Sequence, residues 1–221
     1  MRKPYTKTFF FLAGLLLMGS GCVDKTVSTQ GQFEQQYQAA LKALQENEIK
    51  KSLVLCSHLV SVEAEDAGIA HAMALAGYVN QFIEGNTDKA IFYYEKFTKK
   101  YFKNPLIVNV KKNLADCYFM KGDYQKAKTE YAQIRNTFGE FENIDEIDYR
   151  IAICVFNMND YEGALRELQK IIKRHPKSRL IPSALYTVAM SFEKKNEPEK
   201  AKDIYRRLTE GYPNSFLAAK K

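Results

Sequence analysis

The strongest constraint on this chain is a phrase that it repeats. "GDYQKAKTEYAQI" begins at Gly122, "NDYEGALRELQKI" follows 37 residues later at Asn159, and "NEPEKAKDIYRRL" 37 residues later again at Asn196. "GNTDKAIFYYEKF" starts at Gly85, the same interval before Gly122, and a worn copy, "NEIKKSLVLCSHL", starts at Asn47, one residue off that spacing. A fixed period of this length signals stacked units, each too small to bury its own apolar face.

Each copy reads as two amphipathic helices. Val110, Leu114, Ala115 and Tyr118 fall at helical spacing before Gly122, and Tyr124, Ala127, Tyr131 and Ile134 do so after it. The residues that open the five copies are only Gly or Asn, the types that enter the left-handed conformation ending a helix most readily. Five residues on come Ala90, Ala127, Ala164 and Ala201, with Ser52 in the worn copy; seven before the turn come Ala115, Ala152 and Ala189. Small side chains at both points predict where the two helices of a unit cross, since a larger one would overpack the crossing by roughly 1–3 kcal/mol. Tyr94, Tyr131, Leu168 and Tyr205, then Phe97, Ile134, Ile171 and Leu208, share the alanine face and are expected to fill the space between units. Pro176 and Pro213 close the second helix of their units. The expectation is an all-α solenoid of about five units over residues 32–221.

This pattern resembles the tetratricopeptide repeat, with small residues at its eighth and twentieth places, aromatics at the eleventh and twenty-fourth and Pro at the thirty-second. Those places are Ala189, Phe192, Ala201, Tyr205 and Pro213 in the last copy and Ala152, Val155, Ala164, Leu168 and Pro176 in the one before. The copy from Val108 has Ala115, Tyr118, Ala127 and Tyr131, with Gly139 in place of Pro. The copy around Gly77 and Ala90 carries one extra residue, assigned to its first helix, and the copy from Phe33 to Val60 is degenerate. The resemblance implies a right-handed superhelix, and a period of 37 against the usual 34 implies three more residues in each link.

The first residues follow a different grammar. Arg2, Lys3 and Lys7 precede the apolar run Phe9–Met18, and small residues then lead to Cys22. That order reads as an export signal over 1–21; the run is too short to span a bilayer, which takes about 20 apolar residues. "MGSGC" resembles the lipobox of bacterial lipoproteins, which implies acylation of Cys22, palmitate among the chains, and a flexible tether over 22–31. In that pattern an Asp in the second place of the mature chain keeps a protein in the inner membrane; here that place is Val23, with Asp24 one later, which tilts the expected location to the periplasmic face of the outer membrane. Removing Arg2, Lys3 and Lys7 with the signal lowers the formal charge from +7 to +4, and no basic stripe of nucleic-acid type accompanies it. Cys56, Cys117 and Cys154 are odd in number for an exported chain, and Cys117 and Cys154 occupy equivalent places roughly 10 Å apart in stacked units, beyond disulfide reach. They read as buried small apolar residues.

An exported solenoid ending in "HPKSRLIPSALYTVAMSFEKKNEPEKAKDIYRRLTEGYPNS" is similar to BamD-like lipoproteins of outer-membrane assembly and to the periplasmic tetratricopeptide protein of the Tol-Pal system, with pilotin lipoproteins a further relative in style. The repeat resemblance implies that first helices line a concave surface holding extended segments or helices of other envelope proteins. By repeat position that surface would present Lys112, Asn113, Asp116, Phe119 and Met120, then Tyr149, Arg150, Ile153, Phe156 and Asn157, then Tyr186 and Met190. Lys112 resembles one element of a carboxylate clamp, with Asp116 standing where that clamp has Asn. Lys96, Lys99, Lys100 and Lys103 gather at the end of one second helix, and Lys170, Lys173, Arg174, Lys177 and Arg179 at another. Cations there complement the helix dipole and keep the outer surface solvated; contact with anionic lipid headgroups is the alternative.

For chemistry the sequence offers little. His58, His71 and His175 are scattered, and no metal-spaced Cys/His set, phosphate loop or nucleophile motif is present. The expectation is a non-catalytic adaptor without cofactor, metal, nucleic acid or small-molecule substrate.

Overall fold

The computed structural model describes residues 29–139 and 142–217. The expected export signal, Cys22 and most of the expected tether lie outside the described residues. Ten α-helices and no strand occur within them: α1 (Thr29–Gln45), α2 (Ile49–Val60), α3 (Ala67–Phe82), α4 (Thr87–Lys100), α5 (Ile107–Met120), α6 (Tyr124–Thr137), α7 (Ile144–Asn157), α8 (Tyr161–Arg174), α9 (Ile181–Lys194) and α10 (Pro198–Gly211). Each helix packs on the next, and first helices also meet one another, α1 on α3, α3 on α5 and α7 on α9. The result is a helical-repeat solenoid of five hairpins. Helix α1 opens at Thr29, inside the segment read as tether.

The five turn residues do what their identity demands. Asn47, Gly85, Gly122, Asn159 and Asn196 have φ of 64°, 68°, 79°, 63° and 60°. At Gly122 the amide reaches back to the Phe119 carbonyl at 3.0 Å and that of Asp123 to Tyr118 at 2.9 Å, a closure that satisfies the last carbonyls of α5. The same two bonds recur at Asn47 and Asn196. The following residue then opens the second helix: Asp123 and Asp160 accept from the amides of Lys126 and Gly163, as Asn86 does from Lys89.

The extra residue of the second unit is not in its first helix, as its spacing suggested. It lies in the turn, 83–86, where the amides of Glu84 and Asn86 reach back to the carbonyls of Val79 and Asn80. Elsewhere the turns take three residues, and every link from one unit to the next takes six.

The small residues sit at the crossings. Ala90, Ala127, Ala164, Ala115, Ala152, Ala189 and Ser52 are wholly buried and Ala201 nearly so. At Gly77, in the equivalent place, a Cβ would come within 2.3 Å of the Tyr94 ring, so the first helix can approach Tyr94 only without a side chain there. Tyr94, Tyr131, Leu168, Phe97, Ile134 and Ile171 are buried between units, whereas Leu208 and Tyr205, in the last described unit, are buried against α9 of their own hairpin. Cys56, Cys117 and Cys154 are buried free thiols, each pushed up to about 12 by burial. Among the described residues no helix is long and apolar enough to cross a membrane.

Candidate partner-binding face

Helices α5, α7 and α9 are the first helices of the last three units, and each buries one side among Ile107, Val110 and Leu114, or Ile147 and Ile151, or Ile181, Leu185 and Val188. The opposite side stays partly open because neighbouring first helices touch only lightly. Lys112, Asn113, Asp116, Phe119, Tyr149, Arg150, Phe156, Asn157, Tyr186 and Met190 are all half-buried there, and Met120 is 57% exposed.

Their side chains bridge one helix to the next. Lys112 on α5 lies 3.2 Å from Glu146 on α7, and Arg150 on α7 lies 3.7 Å from Glu146 and 4.0 Å from Asp116 on α5. The Tyr131 hydroxyl, from α6 behind them, donates to Asp116. Burial raises the Tyr131 phenol well above its ordinary value, and the facing Asp116 charge raises it further. Burial works against the Arg150 charge, but Asp116, Tyr131 and Glu146 outweigh it and hold the guanidinium above its usual value. Between α7 and α9 the Tyr149 and Thr187 hydroxyls lie 3.4 Å apart. Tyr94 and Tyr131 thus each meet the first helix of the next unit 19 residues on: Tyr94 accepts from the Asn113 amide at 3.4 Å, and Tyr131 faces Arg150. At Leu168, which has no hydroxyl, the equivalent Thr187 bonds within its own helix to Ser183.

The rings on this face are mostly engaged at its rim. Phe119 packs edge-on against Tyr124 and Phe156 against Tyr161, with centroids 5.1 and 5.4 Å apart, in equivalent positions of successive units. Tyr186 meets the Tyr205 ring at 5.9 Å. Asn157 donates to the Ile153 carbonyl in its own helix. Two contributors were missing from the sequence reading, Glu146 and Thr187. Thr187 stands 37 residues after Arg150, so the repeat spacing could have found it; Glu146 stands 34 after Lys112 and no repeat position marks it.

The histidines do not converge. His71 packs against Tyr37, and His175 lies 3.3 Å from the buried Asp148, which Arg135 also approaches at 3.6 Å. A shallow hollow of about 390 Å³ beside it is lined by Asp145, Arg174, His175 and Ser178, with the Ser178 hydroxyl donating to Asp145. No group of three or more metal-binding side chains occurs among the described residues.

Residues 113–140, 146–178 and 183–215 match the tetratricopeptide repeat family. The structure is similar to that of YrrB, described as a tetratricopeptide protein with an unusual peptide-binding site, at 17% identity, covering 83% of this chain and 88% of that one, with a TM-score of 0.64. It is similar to MamA at 14% identity, 83% and 94% coverage and a TM-score of 0.67. A tetratricopeptide repeat protein of Parabacteroides merdae aligns at 16% identity, over 84% of this chain and 69% of that one, with a TM-score of 0.69. No curated protein matches the chain. The matched segments fall in the last three units, and likeness at these identities concerns the fold.

Proposed function

We propose that the chain is a non-catalytic scaffold that holds an extended segment or helix of another protein against α5, α7 and α9. One observation carries this reading: the half-open sides of three successive first helices carry rings beside charged groups that neighbouring helices already hold in place. Rings supply contact area and fixed cations an anchor, and groups held in position before binding lose less freedom on contact. The peptide-binding site ascribed to YrrB, which shares the fold, fits this reading.

The setting is part of the same proposal: the adaptor works in the bacterial envelope, lipid-anchored at Cys22 on the periplasmic face of the outer membrane, in the assembly of other envelope proteins. The test is a photocrosslinker at Tyr149 or Arg150 in cells, with a second at Lys170 on α8 as control. Capture of a discrete protein from the first pair and not the control is expected; capture only from Lys170 would overturn the face. Mass spectrometry of the mature N-terminus tests the anchor, which an unmodified terminus at or near Cys22 would refute.

A further inference from the structure

Helix α4 carries a stripe that the packing leaves bare. Lys89, Phe92, Lys96, Lys99 and Lys103 follow one another by three, four, three and four residues, one side of a helix carried just past its end at Lys100. Phe92 is 50% exposed and Phe102 62%. The Lys96 ammonium stands 4.8 Å from the Phe92 centroid and that of Lys103 5.6 Å from Phe102. Lys89, Lys96, Lys99 and Lys103 form no ion pair with any described residue.

The other second helices lack this combination. One unit on, α6 has Lys126, Thr129, Gln133 and Asn136, with Lys126 paired to Asp123 at 3.1 Å. On α8 the equivalents are Gly163, Arg166, Lys170 and Lys173, without a ring, and Lys170 pairs with Glu167 at 2.7 Å.

The stripe runs down to a particular edge of the solenoid. Lys100 and Tyr101 donate to the Ala64 carbonyl in the link before α3, and a Cβ on Gly68, at the start of α3, would lie 2.6 Å from the Phe33 backbone of α1. The end of α4 and the starts of α1 and α3 therefore share one edge, and α1 begins seven residues after Cys22. Glu63 and Glu65 are exposed in the link at that edge, so the basic surface is the stripe and not the whole edge.

We propose that this stripe lies on an anionic phospholipid surface. Unpaired ammonium groups on long apolar stems complement phosphate without a matched carboxylate, and the two open rings suit the depth where headgroups meet acyl chains. A protein partner would have to present acids in register over four turns.

Sedimentation of the full chain with vesicles containing phosphatidylglycerol, and with vesicles of phosphatidylcholine alone, tests this. Replacing Lys89, Lys96, Lys99 and Lys103 with Gln is expected to weaken binding to the anionic vesicles by about tenfold or more, and added salt to weaken the parent chain in the same way. Binding to phosphatidylcholine, which reports contact made without anionic charge, is expected to be the same for parent and variant. Phe92→Ala with Phe102→Ala is expected to weaken anionic binding by several-fold. Helical circular dichroism confirms folding, since every altered side chain is exposed. Equal binding of parent and lysine variant to anionic vesicles would overturn the proposal. An equal loss from Lys170→Gln, Lys173→Gln and Lys177→Gln on α8 would overturn it too, by showing charge without place.

Discussion

Helices α1–α4 and helices α5–α10 build the same hairpins by different means. From α4 onward every helix has 14 residues, whereas α1, α2 and α3 have 17, 12 and 16. Helix α3 is buried along nearly its whole length from Gly68 to Gln81, with only His71 partly open, because α1, α2 and α4 enclose it and α5 touches it. A helix enclosed on all sides has no need of an apolar stripe, and its sequence, "AGIAHAMALAGYVNQF", shows none. The regular helices keep a stripe because each leaves one side open. Regularity and openness therefore go together, and the candidate face ends where α3 is sealed: its polar residues Asn80 and Gln81 are buried, bonding to the Ala76 carbonyl and to the Tyr94 hydroxyl.

If the enclosed half is the more tightly built, it should break hardest. Tyr94 is fully buried in the largest apolar cluster, which runs from Tyr37 to Cys117, while its equivalent Tyr205 sits 8% exposed in the small cluster at the other end. Tyr94→Ala is expected to cost about 3–5 kcal/mol, and Tyr205→Ala about 2 kcal/mol less, because the end of the stack relaxes more freely. Urea titration monitored by helical circular dichroism checks both; equal losses would remove the distinction. Gly68→Ala comes next, at roughly 2–3 kcal/mol, since its Cβ would meet backbone of Phe33 and Glu34 that cannot swing aside. Gly85→Ala and Gly122→Ala have open space, and only the left-handed φ opposes them, at about 1–2 kcal/mol.

The sequence was legible where it repeats. Turn residues, crossing alanines and inter-unit rings could be read because their physical demands, positive φ and closeness, admit few residue types and recur at one interval. The extra residue before Gly85 was misplaced because spacing alone cannot separate a longer helix from a wider turn. The face was legible as positions and not as contacts: helical register puts Arg150 on the open side, but that it reaches both Asp116 and Glu146 depends on how α5 and α7 lie together. Glu146 was missed for that reason. The caps at Asp123 and Asp160 were not read from the sequence, although a short acceptor just before a helix is the signal that marks them.

At the turns, Asn159→Gly and Asn196→Gly are expected to change stability by less than about 0.5 kcal/mol, because Gly takes positive φ freely. Asn159→Ala is expected to cost about 1 kcal/mol. In the worn first unit Asn47 has the same φ of 64°, so Asn47→Ala should cost as much. A markedly smaller loss there would mean that the first hairpin frays before the others, and the contrast between halves would need a further division.

The smallest effect expected concerns the bridges themselves. Lys112 and Glu146 are 25% and 32% exposed, so water screens much of their attraction, and holding two long side chains in place offsets part of the rest. A double-mutant cycle with Lys112→Met and Glu146→Gln should give a coupling of about 0.5 kcal/mol. Asp116 and Arg150 differ, since Asp116 also accepts from the buried Tyr131, and Asp116→Asn leaves that hydroxyl an oxygen to bond while removing the charge that favours Arg150. Asp116→Asn is therefore expected to lower stability by less than about 1 kcal/mol while loosening Arg150. If the bridges only hold helices together, crosslinking from Tyr149, with Arg150 in place, will survive that change unaltered. If they hold Arg150 ready for a partner, capture will fall while the unfolding midpoint hardly moves, and that divergence is what separates an open face used for binding from one that is merely unburied.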